Sequence, residues 1–85
     1  MKSIKLFYLK NCPFCKKAFA YIDELKKLDA YKDIELELIE ESEEPVIADQ
    51  YDYYYVPTFY IDGEKVHEGG IFPNEVEAIL KKALD

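Results

Sequence analysis

The 85-residue chain has no tryptophan, one histidine, two cysteines and three glycines. Two cysteines in a chain with no secretion-type leader do not make a disulfide scaffold. Even with the histidine added, they leave a structural zinc site short of its four ligands, so no metal is expected. A long apolar run is also missing. Met1–Leu9 is broken by Lys2 and Lys5 and is too short for a signal peptide or a membrane span, so a cytoplasmic location is expected. Basic residues are outnumbered, 11 against 18 acids, for a net charge of −7. That balance argues against nucleic acid or an anionic membrane surface as the main partner. No internal repeat is present. The length suits one domain with a single packed core, and nothing demands more than a monomer.

Charge is unevenly spread. Residues 1–22 hold five lysines (Lys2, Lys5, Lys10, Lys16, Lys17) and no acid, and both cysteines lie in this stretch. The remaining residues carry all the acids, with an acidic run at Glu40–Glu44 expected to be a solvated helix start.

Hydrophobic patterning predicts the order β-α-β-α-β-β-α. Ile4–Leu9 is β-branched and aromatic and reads as a first strand, continuous enough for the middle of a sheet. Pro13 at the first helical position makes Cys12 an N-cap. The helix is expected to reach about Leu28, with Cys15, Ala18, Ile22 and Leu25 on one face. Ile34–Ile39 alternates apolar and acidic residues, as an edge strand does. Ser42 is the expected cap of a short second helix running to about Tyr51. Thr58–Ile61 and Glu64–Glu68 flank Asp62-Gly63, a strong hairpin signal. Asn74-x-x-Glu77 reads as a capping box for a last helix striped with Val76, Ile79, Leu80, Ala83 and Leu84. The fold class is α/β: a four-stranded mixed sheet flanked by three helices. The first crossover makes the first two strands parallel and puts Cys12 at the carboxyl end of a central strand.

C-x-x-C at a helix start is an arrangement for thiol–disulfide exchange. Backbone N–H groups and the helix dipole favour a thiolate at the N-cap, so Cys12 is the expected nucleophile and the more exposed cysteine. Lys10 and Lys16 would act in the same direction. Cys15, one turn later, is placed to attack the mixed disulfide and release product. Pro13 fixes the turn, and Phe14 is expected at the surface beside the cysteines. His67 is expected to be an exposed strand residue. Before Pro57, residue physics alone favours a trans bond. Tyr51, Tyr53, Tyr54 and Tyr55 crowd the approach to that proline, some as packing and the rest as an aromatic rim.

With CPFC after a strand, VPT before a hairpin and this element order, the chain resembles the thioredoxin superfamily. In size and in KLFYLKNCPFCKKA it is similar to the glutaredoxins. The resemblance covers essentially the whole chain and implies a thioredoxin fold. It implies Cys12 as nucleophile, Cys15 as resolving cysteine, and Pro57 as a cis-proline facing the sulfurs, against the trans expectation. It further implies that Val56 offers its backbone to an extended peptide or glutathione, with Lys10, Pro13, Phe14, Tyr55, Gly69 and Gly70 around the substrate. No tightly bound cofactor is implied. Glutathione is a candidate reducing co-substrate, and disulfide-containing proteins, small thiols or a reductase are the implied partners.

Four features depart from these families. Leu9 stands where glutaredoxins carry a basic residue, and Ile71-Phe72-Pro73 follows Gly69-Gly70 in place of acidic or hydroxyl residues. Both count against glutathione. The second half, with Tyr51, Val56-Pro57-Thr58, IDGEKV and Gly69, is more like a thioredoxin. Yet the tryptophan before the first cysteine is missing, and Leu6 replaces the buried acid. The leading expectation is a dithiol–disulfide oxidoreductase. The alternatives are a binding module with dormant cysteines and a glutathione-ligated iron–sulfur carrier.

Overall fold

The computed structural model describes residues 1–85. It contains β1 (Ile4–Tyr8), α1 (Pro13–Leu25), β2 (Leu36–Glu40), α2 (Pro45–Ala48), β3 (Thr58–Ile61), β4 (Glu64–Glu68) and α3 (Pro73–Leu84). The sheet order is β2-β1-β3-β4. β1 pairs parallel with β2 and antiparallel with β3, and β3 pairs antiparallel with β4. This is the expected mixed sheet with β1 inside and β2 at an edge.

Successive residues of a strand point to opposite faces, and β1 uses both. Ile4 and Leu6 join Ala18, Ile22, Phe59, Ile61, Val76, Ile79, Leu80 and Ala83 in the main core, under α1 and α3. Phe7 joins Ile39, Ala48 and Tyr60 on the other face, under α2. Helices thus cover both faces, and the two cores meet through the central strand.

Boundaries differ from expectation where local hydrogen bonding prevails. α1 stops at Leu25, because the chain tightens into i−3 bonds: Lys27 N–H donates to Glu24 O and Leu28 N–H to Leu25 O. Leu28 is consequently exposed. Ile34 is buried but lies in a turn, its N–H on Tyr31 O at 3.1 Å, so β2 begins only at Leu36. The alternation of β2 also fails at its end: Leu38 is exposed and Glu40 is buried. Ser42 caps nothing, since its hydroxyl is given to Glu40 at 2.6 Å, and α2 starts from Glu44 and lasts one turn. The last helix starts two residues early. Phe72 is its N-cap with Pro73 behind it, and Phe72 N–H donates to Glu75 Oε1 at 3.0 Å. Glu77, the expected box partner, instead accepts the Tyr31 hydroxyl at 2.8 Å.

Candidate active site

Cys12 is the N-cap of α1, in extended conformation (φ −88°, ψ 118°) with Pro13 following. Pro lacks an N–H and has φ preset for a helix, so it costs nothing at this position. The first free N–H aimed back at the cap is that of Cys15, which donates to Cys12 Sγ at 3.3 Å. Cys12 is half-buried, whereas Cys15 is 1% exposed. Burial pushes the Cys15 thiol up to about 12, with its hydrogen bond to Cys12 next in size and the Cys12 and Glu41 charges adding to it. The pair therefore consists of one reachable sulfur and one protonated sulfur held behind it.

Opposite the helix start lies the segment between α2 and β3. The Val56–Pro57 bond is cis, as the resemblance implied and the residue-level expectation did not. Val56 O is 3.9 Å from Cys12 Sγ. Val56 N–H has no partner within the chain. Pro57 O accepts Gly69 N–H at 2.8 Å, and Gly69 has φ +90°, which a side chain rarely adopts. A Cβ on Gly70 would lie 3.4 Å from Phe14 Cδ1, so the bare glycine lets the Phe14 ring approach. Cys12, Cys15, Phe14, Tyr55, Val56, Pro57, Gly69 and Gly70 thus gather at one end of the sheet, and Pro13 is exposed beside them.

Lys10, expected to favour the Cys12 thiolate, lies on the same hollow as Cys12 but is paired elsewhere. Its ammonium pairs with Glu43, and that carboxylate raises its pKa. Its backbone N–H donates to Glu40 Oε2 at 2.9 Å. Glu40 Oε1 meanwhile accepts Ser42 N–H and Oγ–H, both at 2.6 Å, and Glu43 N–H at 3.2 Å. These donors, the Ser42 hydroxyl first, hold the carboxyl down at about 2. Glu40 was read as part of a solvated run, yet it ties the loop before Cys12 to the end of β2. It also lines a hollow of about 320 Å³ with Leu9, Lys10, Asn11, Cys12 and Ser42. His67 corrects a second expectation. It is half-buried, with Nε2 2.9 Å from Gly70 O.

The tyrosines divide by face. Tyr51 and Tyr53 pack on Phe7 with ring centroids 4.8 and 5.0 Å away, and Tyr53 gives its hydroxyl to Glu41. Tyr54 and Tyr55 are 87% and 71% exposed. Tyr54 lines a hollow on the α2 side with Pro45, Tyr51 and Tyr53, whereas the exposed Phe14 and Phe72 line another with Gly70 and Ile71.

The family model described as "Thioredoxin domain" matches residues 2–81. A search of the curated proteins finds no match. Among solved structures, the mitochondrial thioredoxin 3 of Saccharomyces cerevisiae in its oxidized form is 27% identical, with a TM-score of 0.74 over 95% of this chain and 77% of that one. The Malassezia sympodialis thioredoxin Mala s 13 shares the fold at 18% identity, with a TM-score of 0.78 over 99% of this chain and 76% of that one. A malarial protein does so at 21% identity and a TM-score of 0.76, covering 100% and 99% of the two chains. The architecture is the thioredoxin fold, and the chain, matched over nearly its whole length and carrying its two cysteines together at the start of α1, belongs to the thioredoxin-domain family.

Proposed function

We propose that this protein reduces disulfides in proteins or small molecules through a Cys12 mixed disulfide resolved by Cys15. The supporting observation is the asymmetry of the pair: Cys12 reachable at a helix amino end, Cys15 buried behind it with its N–H on the Cys12 sulfur. In the first step the Cys12 thiolate attacks one sulfur of the substrate disulfide. The substrate S–S bond breaks, and the departing thiolate takes a proton from water. Cys15 then loses its proton and attacks Cys12 Sγ, releasing the second substrate thiol. The protein ends as a Cys12–Cys15 disulfide, having given up two electrons, with one proton supplied by Cys15 and the other by water. An external dithiol or reductase must restore it.

The Lys10–Glu43 pair favours a thioredoxin-like electron donor over glutathione, because it occupies the cation nearest to Cys12 in sequence. Turnover of a small disulfide is to be measured with glutathione, glutathione reductase and NADPH, and in parallel with thioredoxin reductase, each with Cys15→Ser. The expected result is activity with thioredoxin reductase that Cys15→Ser abolishes. Activity with glutathione that survives Cys15→Ser would establish Cys12 acting alone. Silence of the reduced protein toward any disulfide would refute the reading.

A further inference from the structure

Between Asp52 and Val56 the chain has no regular structure, and only two of its backbone N–H groups find a partner. Those are Tyr54 N–H and Tyr55 N–H, and both donate to one oxygen, Glu68 Oε2, at 2.5 and 2.9 Å. The other oxygen, Oε1, accepts Lys65 Nζ at 2.7 Å. Lys65 Nζ reaches Asp52 O as well, at 3.2 Å. Glu68 pairs across the ladder with Thr58, and the next residue, Gly69, gives its N–H to Pro57 O. The end of β4 therefore grips the loop on both sides of Val56, by a side chain before it and by the backbone after it.

We infer that Glu68 is a positioning residue, holding Tyr54–Val56 ready for an extended polypeptide disulfide that docks beside Cys12. The inference rests on the oxidoreductase reading and adds a residue that positions the loop facing Cys12. A peptide bond donor or acceptor can pair with Val56, whose N–H is unused, only if the loop holds one geometry. A small disulfide needs no such pairing and must only reach Cys12. The Glu68 carboxyl is held down at about 2, by Lys65 first and then by the two N–H groups, so the clamp is ionised at neutral pH. Without it, two N–H groups turn to water and the loop samples many geometries. Apparent affinity falls by the fraction of time the competent one is populated.

The test uses the pre-reduced full chain in single turnover, read by the mass loss of two hydrogens. Insulin serves as the polypeptide disulfide and bis(2-hydroxyethyl) disulfide as the small one. For Glu68→Ala the half-saturating insulin concentration is expected to rise about tenfold with the limiting rate held within about twofold. The ratio of insulin to small-disulfide rates should drop by the same factor. Glu68→Gln keeps an oxygen for both N–H groups and should recover most of the loss. Lys65→Met removes the charge partner and the bond to Asp52 O but leaves both N–H bonds to Glu68, and should change the ratio less than about twofold. Parallel losses on both substrates, or Glu68→Gln falling as far as Glu68→Ala, would overturn the positioning role while leaving the oxidoreductase reading intact. A wild-type protein that reduces neither substrate would instead sink the reading and this inference together.

Discussion

Alkylation of the reduced protein should separate its two cysteines by about two orders of magnitude in rate from ionisation alone, and by more once burial is counted. Iodoacetamide reacts with thiolates, so the rate at each sulfur scales with its ionised fraction. An ordinary cysteine, with a pKa near 8.5, is about 10% thiolate at pH 7.5. With the Cys15 thiol pushed up to about 12, the fraction is roughly 3 in 100,000; the greater nucleophilicity of the more basic thiolate offsets part of that deficit and leaves the reaction about 100-fold slower before steric access is counted. At 1% exposure, access can only add to that factor. The assay is intact mass at pH 7.5: one carbamidomethyl group should add and the signal should plateau, with peptide mapping placing it on Cys12. Denaturant should then admit the second. Between pH 7.5 and 10 the slow Cys15 reaction should accelerate about tenfold per unit. Two additions at comparable rates in the folded protein would refute the reasoning. A companion variant separates the causes. Burial is the largest, but the hydrogen bond to Cys12 and the Cys12 charge also raise the Cys15 thiol. Cys12→Ala removes both and leaves burial, so thiolate absorbance of Cys15 should appear at lower pH than in the wild type. In the proposed mixed disulfide the Cys12 sulfur would be uncharged, and the same relief would let Cys15 ionise at that step. Because its folded pKa is raised, Cys15 adds stability that is full below about pH 8.5 and is lost as pH climbs toward 12.

Two further outcomes follow from the rest of the fold. Glu40 and Glu68 both have carboxyls depressed to about 2, so their contribution is full above the unfolded value near 4.3 and lost as pH falls through about 2. Urea midpoints at pH 7, 4 and 2.5 should therefore decline less steeply in Glu40→Gln than in the wild type, and an unchanged slope would dismiss the Glu40 tie. Leu80 is fully buried in the main core, and Leu80→Ala should cost about 2–5 kcal/mol. At roughly 4–8 °C per kcal/mol in a domain this small, circular dichroism should record a large drop in Tm. A loss under about 1 kcal/mol would mean that the site collapses around the smaller side chain.

What the amino-acid sequence by itself determined is whatever depends on neighbours along the chain. The element order follows from period-2 and period-3.6 patterning, the Asp62-Gly63 hairpin from turn chemistry, and Cys12 as N-cap from Pro13 at the first helical position. The contrast between a reachable Cys12 and a buried Cys15 follows from the same helix geometry. Tertiary structure decided whatever depends on side chains meeting across the sheet. Glu40 looks like any other member of an acidic run, and only the return of β2 beside β1 brings it to Lys10 N–H, 30 residues away in sequence. Glu68 ends the second strand of a hairpin, yet its partners are 13 and 14 residues earlier in a loop with no pattern of its own. Glu77 completes a local capping signature, but Tyr31, 46 residues distant, claims its carboxylate, and the helix starts from Phe72 instead. In each case the donors that a carboxylate accepts are set by which distant part of the chain the fold places against it.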